Sequence, residues 1–162
     1  MLTGGAIVDR VWRRLLDRSG HRPGLPVTLD PDLHVRIDGR RIDPIDRDNG
    51  RFRFRLPRTS GDVRIVSRSA APQELGLSRD PRALGVAIER IVLWRFGWQP
   101  FALEADDPGL TDGFHGFEPL ESWRWTDGDA GLPPSLLRHI DDGCVLEVCV
   151  RATGSYAELE AA

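Results

Sequence analysis

Lysine is absent from this 162-residue chain: all 22 of its basic residues are arginine. The bias suits carboxylate pairing, since a guanidinium keeps its charge and presents a planar fork, and 25 aspartates and glutamates are there to receive it. Acids and arginines alternate along the whole length instead of segregating. A nucleic-acid footprint needs a one-sided basic patch, so a nucleic-acid partner is not expected. Cysteine is scarce as well. Cys144 and Cys149 are the only two, and an odd separation of five along a strand points them to opposite faces, too far apart to bridge at about 3.3 Å per residue. Both read as free thiols, at least one of them buried, which leans toward a reducing compartment. The four histidines, His21, His34, His115 and His139, form no zinc spacing with them. No metal and no cofactor is expected. No P-loop, dinucleotide fingerprint or Gly-x-Ser-x-Gly elbow occurs.

Long apolar runs are missing too. The first residues carry no uninterrupted segment of signal-peptide length, and no stretch is long enough to span a membrane. A cleaved signal is therefore not expected, which leaves a cytoplasmic protein or one exported by an uncleaved route.

What the chain does contain is short-period hydrophobic patterning. Val8, Val11, Trp12, Leu15 and Leu16 recur at helical spacing, so an amphipathic helix is expected over residues 5–18, ended by Ser19 and Gly20. An exposed stripe along Val8, Trp12 and Leu15 would mark a partner-binding helix. The Pro- and Gly-rich stretch 22–26 is an internal boundary. Beyond it the period changes to two. Leu33, Val35 and Ile37 alternate with His34 and Arg36, Asp38-Gly39 supplies a hairpin turn, and Asp48-Asn49-Gly50 turns the chain again. Phe52, Phe54 and Leu56 face a core with Arg51, Arg53 and Arg55 outside. Residues 63–68 form another strand. Residues 84–94 form a strand bent near Glu89-Arg90, followed by a turn at 97–100. Residues 106–116 are turn-rich and expected to pack by their aromatics. After the breaker at 132–135 comes one helical turn over 136–139, then a last strand at 145–150. The expected fold is mainly β: an antiparallel, jelly-roll-like β-sandwich over residues 27–156, preceded by the helix and linker of 1–26 and followed by a tail at 157–162.

The densest chemistry lies between Gly113 and Leu132. In Ser122-Trp123-Arg124-Trp125-Thr126 the strand period puts Trp123 and Trp125 on one face and Arg124 on the other, and Asp127-Gly128 ends the strand. Aromatic faces beside carboxylates and a guanidinium are what a protein uses to hold polyhydroxylated ligands. The ligand-binding candidates are Arg68, His115, Glu118, Trp123, Arg124, Trp125 and Asp127. The same inventory builds structural networks. Trp123 and Trp125 then anchor a sandwich interior. Arg68 and Arg124 become internal ion pairs with Glu118, Asp127 or Asp129, or clamps on backbone carbonyls. A carboxylate pair made of Glu118 with Asp127 or Asp129 would suit a glycoside hydrolase.

Several blocks of this chain, taken together, resemble the carboxy-terminal region of bacterial Hint-domain-containing proteins. They are residues 8–15, 32–44, 63–70, 84–87, 113–115, 123–128 and 145–149, and the likeness runs from about residue 7 onward. Similar segments also accompany glycosyltransferase-type proteins. The resemblance implies a non-catalytic, β-rich accessory module, with a carbohydrate or a protein as its partner. The Hint domain itself is absent: both cysteines lie in the carboxy-terminal strand region, where neither can serve as its nucleophile, so self-splicing is not expected. The chain is either a stand-alone copy of the tail or a fragment of a longer Hint-containing protein.

Overall fold

The computed structural model describes residues 26–59 and 61–158, with residues 10, 11, 14 and 15 ahead of them. The expected amphipathic helix over 5–18, with its stripe through Val8 and Trp12, therefore lies outside the described residues apart from those four positions. Thirteen strands are described. In chain order they are β1 (Val27–Thr28), β2 (His34–Ile37), β3 (Arg40–Ile42), β4 (Asp46–Asp48), β5 (Arg51–Arg55), β6 (Val63–Val66) and β7 (Val86–Trp94). There follow β8 (Phe101–Glu104), β9 (Phe114–Glu118), β10 (Trp123–Thr126), β11 (Asp129–Gly131), β12 (Val145–Thr153) and β13 (Tyr156–Ala157), with one short helix, α1 (Pro134–Leu137), between β11 and β12.

Every pairing is antiparallel. The larger sheet runs β4-β5-β12-β7-β10-β9, with β8 also on β7, and the smaller runs β11-β6-β2-β3. Turn chemistry explains the two tight hairpins. Asp38-Gly39 joins β2 to β3 and Asn49-Gly50 joins β4 to β5, and all four residues have positive φ, between 48° and 79°. Two left-handed residues in succession give the hairpin turn whose twist matches that of its strands.

Alternation then decides which faces meet. Val35, Ile37, Val63 and Ile65 from the smaller sheet join Phe52, Phe54, Ile88, Leu93, Leu146 and Val148 from the larger in one buried cluster. Two antiparallel sheets sharing a core in this way make a mainly β protein of sandwich type. The breaker at 132–135 starts α1 with Pro134 in the first turn, where a missing N–H costs nothing. Leu136 and Ile140 close the core beside it.

Strand β7 is the hub. It pairs with β12 along its length, with β10 through Ala87 and Ile88, and with β8 through residues 90–93. Its bend falls where the sequence places it. Cys149 opposes Arg90 and Val150 opposes Ile88, so Glu89 is passed over. A one-residue irregularity reverses the facing of everything beyond it. Val86 and Ile88 therefore face the core before it, and Ile91 and Leu93 after it. One expectation needs correcting: the turn-rich stretch gives way at Phe114 to the edge strand β9, which pairs with β10 across a register shift between Arg124 and Thr126, and residues 101–104 add a further strand on β7.

Candidate functional site

Strand β10 lies between β7 and β9, and its register fixes where its side chains go. Arg124 opposes Ile88 on β7 and Phe117 on β9, whereas Trp125 opposes Ala87 and Trp123 opposes Glu118. Directly opposed residues share a face. Arg124 is thus on the side of Ile88 and the core, while Trp123, Trp125 and Glu118 share the outer face of the larger sheet.

The tryptophans are half-buried there, outside the core cluster. Their rings meet edge to face, with centroids 6.1 Å apart and planes at 72°. This corrects the reading of them as sandwich anchors. Trp123 Nε1 donates to Glu118 Oε2 at 3.0 Å, and Arg82 Nη2 donates to Glu118 Oε1 at 3.1 Å. Arg82 is held in turn by Asp80, at 2.7 Å between Nη2 and Oδ2. The Arg82 hydrogen bond keeps the Asp80 carboxyl below the usual carboxylate range against the opposing effect of burial. His115 lies within 2.7 Å of the Ala83 carbonyl through Nε2. A carbonyl only accepts, so Nε2 carries the proton in that contact. Residues 80–83 are thereby strapped to β9 and β10 through Glu118 and His115.

The other candidates go elsewhere. Arg124 donates from Nε to the Ala105 carbonyl at 2.7 Å and from Nη1 to the Leu110 carbonyl at 2.6 Å. It is a carbonyl clamp, and of the carboxylates expected to pair with it Glu118 is held by Arg82 and Asp129 by Arg64 and Arg36. Arg68 is exposed and reaches the Asp30 carbonyl at 3.3 Å. Asp127 is exposed, with Oδ1 accepting from the Asp129 backbone N–H at 2.8 Å. Asp129 sits on β11 in the smaller sheet, between Arg64 Nε at 2.6 Å and Arg36 Nη2 at 2.8 Å. Arg64 also bonds both oxygens of Asp112.

Asp80 and Arg82 escaped sequence reasoning, because they stand in an irregular stretch and Arg82, held by Asp80, reaches Glu118 across 36 residues. No local period signals such a contact. Away from this cluster, two adjoining hollows of about 330 and 400 Å³ lie beside the Asn49-Gly50 turn. The smaller is lined by Glu89, Cys149 and Arg151 among others. Burial pushes the thiols of Cys149 and Cys144 up, which keeps them protonated and weakly nucleophilic. No group of three metal-ligating side chains is found among the described residues.

Chemically, the outer-face cluster offers two indoles rimmed by a carboxylate, a guanidinium and an imidazole. Such a surface can cover the C–H face of a flat ligand and hydrogen-bond its edge. No family model, no curated protein and no solved structure matches the chain.

The arginine-held carboxylates carry a pH prediction. Burial alone would raise Asp129, but the hydrogen bonds from Arg64 and Arg36 outweigh it and hold the carboxyl below its ordinary value. Asp112 is lowered by its Arg64 hydrogen bond. Depressed carboxylates stabilise the fold fully above their unfolded value of about 4, and that share is lost as pH falls through the lower folded values. Urea midpoints should therefore drop steeply below about pH 4. Asp129→Asn should flatten this acid limb, and a variant whose limb matches wild type would show that the network contributes nothing.

Proposed function

We infer that this chain is a non-catalytic accessory module of the Hint-associated carboxy-terminal type, a jelly-roll-like sandwich whose outer-face tryptophan pair binds carbohydrate. The observation that supports this most is the placement of Trp123 and Trp125 outside the core, with Glu118 pinned beside them by Arg82. A pair of indoles fixed in advance loses little conformational freedom when a sugar ring stacks on it. The rim groups are then in reach of its hydroxyls. The hydrolase alternative that pairs Glu118 with Asp129 is disfavoured by the state of its acids. Both oxygens of Glu118 are engaged by Arg82 and Trp123, and both oxygens of Asp129 by Arg64 and Arg36. The two carboxylates also belong to different sheets.

A glycan array probed with wild type, Trp123→Ala and Trp125→Ala tests the reading. Wild type should bind a subset of glycans, and each substitution should weaken binding about tenfold, the loss of one aromatic contact. Absence of glycan binding by wild type would overturn it. Turnover of a bound glycan that disappears in Glu118→Gln would instead restore the hydrolase.

A further inference from the structure

The β7–β8 hairpin carries apolar surface that the sandwich does not use. Trp94 is 47% exposed, Phe96 104% and Trp98 69%. These are all the exposed aromatic side chains among the described residues, and they fall within five positions of one turn. The tip is built to hold them out. Trp98 N–H donates to the Arg95 carbonyl at 3.2 Å, closing the turn, and the Arg95 guanidinium lies over the Trp98 ring, 4.8 Å from its centroid. Phe96, at the apex, packs on nothing.

We propose that this hairpin docks the protein on the surface of a bilayer containing anionic lipid. The chemistry of the tip is graded by distance from its apex. Phe96 has no polar atom and suits the acyl boundary. Trp94 and Trp98, two residues to either side, are amphipathic rings of the kind that settle at headgroup level. The charge matches as well. Residues 90–103 contain Arg90 and Arg95 and no acid, in a chain with 25 acidic residues. Arg90 is taken up by Glu104 at 2.8 Å, and Arg95, with its side chain only 18% exposed, lies over Trp98 and 3.7 Å from Asp141. Arg55 stands in the same cross-strand row as Trp94, with Val145 between them, and is exposed, its side chain making no hydrogen bond or ion pair among the described residues. Arg55, exposed beside the convex aromatic tip, complements the phosphates and carboxylates of anionic lipid, a basic side chain near the surface adding to the attraction. No helix among the described residues is long and apolar enough to cross a membrane. The docking tip is separate from the tryptophan pair. Trp125 meets β7 at Ala87 and the tip begins at Trp94, seven residues or roughly 20 Å along the strand.

Co-sedimentation with vesicles tests this, using phosphatidylcholine alone and phosphatidylcholine with about 30% phosphatidylserine. Wild type should pellet with the serine-containing vesicles. Phe96→Glu and Trp98→Glu should each reduce that partition about tenfold or more, with unchanged melting temperatures because both side chains are exposed. Arg55→Gln should weaken binding to the anionic vesicles only. Failure of wild type to pellet, or equal pelleting of Phe96→Glu, would overturn the proposal. So would tip-dependent self-association without vesicle binding, which would assign the hairpin to a second copy of the chain. Phe96→Glu should keep any glycan binding, so this test and that of the tryptophan pair fail separately.

Discussion

Gly113→Ala should lower the stability of the fold by about 3 kcal/mol or more, which for a chain of this size is roughly 6–12 °C of melting temperature. Two independent reasons add. Gly113 has φ +75°, in the region that disfavours any side chain. A Cβ there would also lie 2.2 Å from the Asp129 carbonyl oxygen and 2.7 Å from Ala130 Cα. Both are backbone atoms of β11, so no rotamer change relieves the contact. Backing the chain away is blocked as well. The Gly113 carbonyl accepts from Asp127 N–H at 2.9 Å, and the Asp112 carbonyl accepts from Gly131 N–H at 3.0 Å. Strain at this point spreads both ways, into the Arg64–Asp112 pair and into β9, which presents Glu118 to Trp123. Gly116→Ala is the internal control: three residues on, within β9, a Cβ meets nothing within 4 Å, and its φ is not positive. That substitution should leave the melting temperature unchanged. A Gly113→Ala protein that melts with wild type would show that β9 and β11 are not locked as described.

Much of the fold was legible where local chemistry alone decides. The alternation of Phe52, Phe54 and Leu56, the turns at Asp38-Gly39 and Asn49-Gly50, and the bend of β7 at Glu89 all appear where period and turn propensity put them. Strand β9 was hidden because glycines at 113 and 116 read as irregular backbone, and because an edge strand with one partner needs no hydrophobic alternation. The site was half legible. Period two separates Trp123 and Trp125 from Arg124, but a pattern with two faces does not say which is inside. Two large apolar residues outweigh one arginine in any count of hydrophobicity, yet the arginine took the inner side. A guanidinium can do so when its stem lies along apolar surface and its head finds carbonyls. Those carbonyls belong to Ala105 and Leu110, fourteen or more residues away. The choice of partner for each acid was out of reach for the same reason. With 22 arginines and 25 acids, composition promises pairing, and only the topology brings Arg64 to Asp129 or Arg82 to Glu118.

Arg124→Met should cost about 3 kcal/mol, because it orphans two carbonyls that have no water to turn to. Ala105 is 3% exposed and Leu110 1%. The loop they bracket has other ties, from Ala105 N–H to the Glu89 carbonyl at 2.9 Å and from Leu110 N–H to the Asp107 carbonyl at 3.2 Å. Neither serves the two acceptors that Arg124 satisfies. Hydrogen bonds from a charged donor to buried carbonyls contribute about 1.5–3 kcal/mol each, and methionine preserves the stem while removing both. Arg124→Lys should recover less than half of the loss. An ammonium keeps the charge but lacks the fixed fork that reaches two carbonyls on diverging lines. Denaturant midpoints rank the three proteins, and amide exchange at Leu110 should quicken in the order wild type, lysine, methionine. Glycan affinity measured well below the melting range separates a clamp from a ligand contact. Arg124 is on the core side of β10 and the tryptophans are on the outer side, so a folded Arg124→Met protein should bind as wild type does. If it stays folded and loses binding, Arg124 belongs to the ligand site; if its stability matches wild type, the two short hydrogen bonds hold nothing in place.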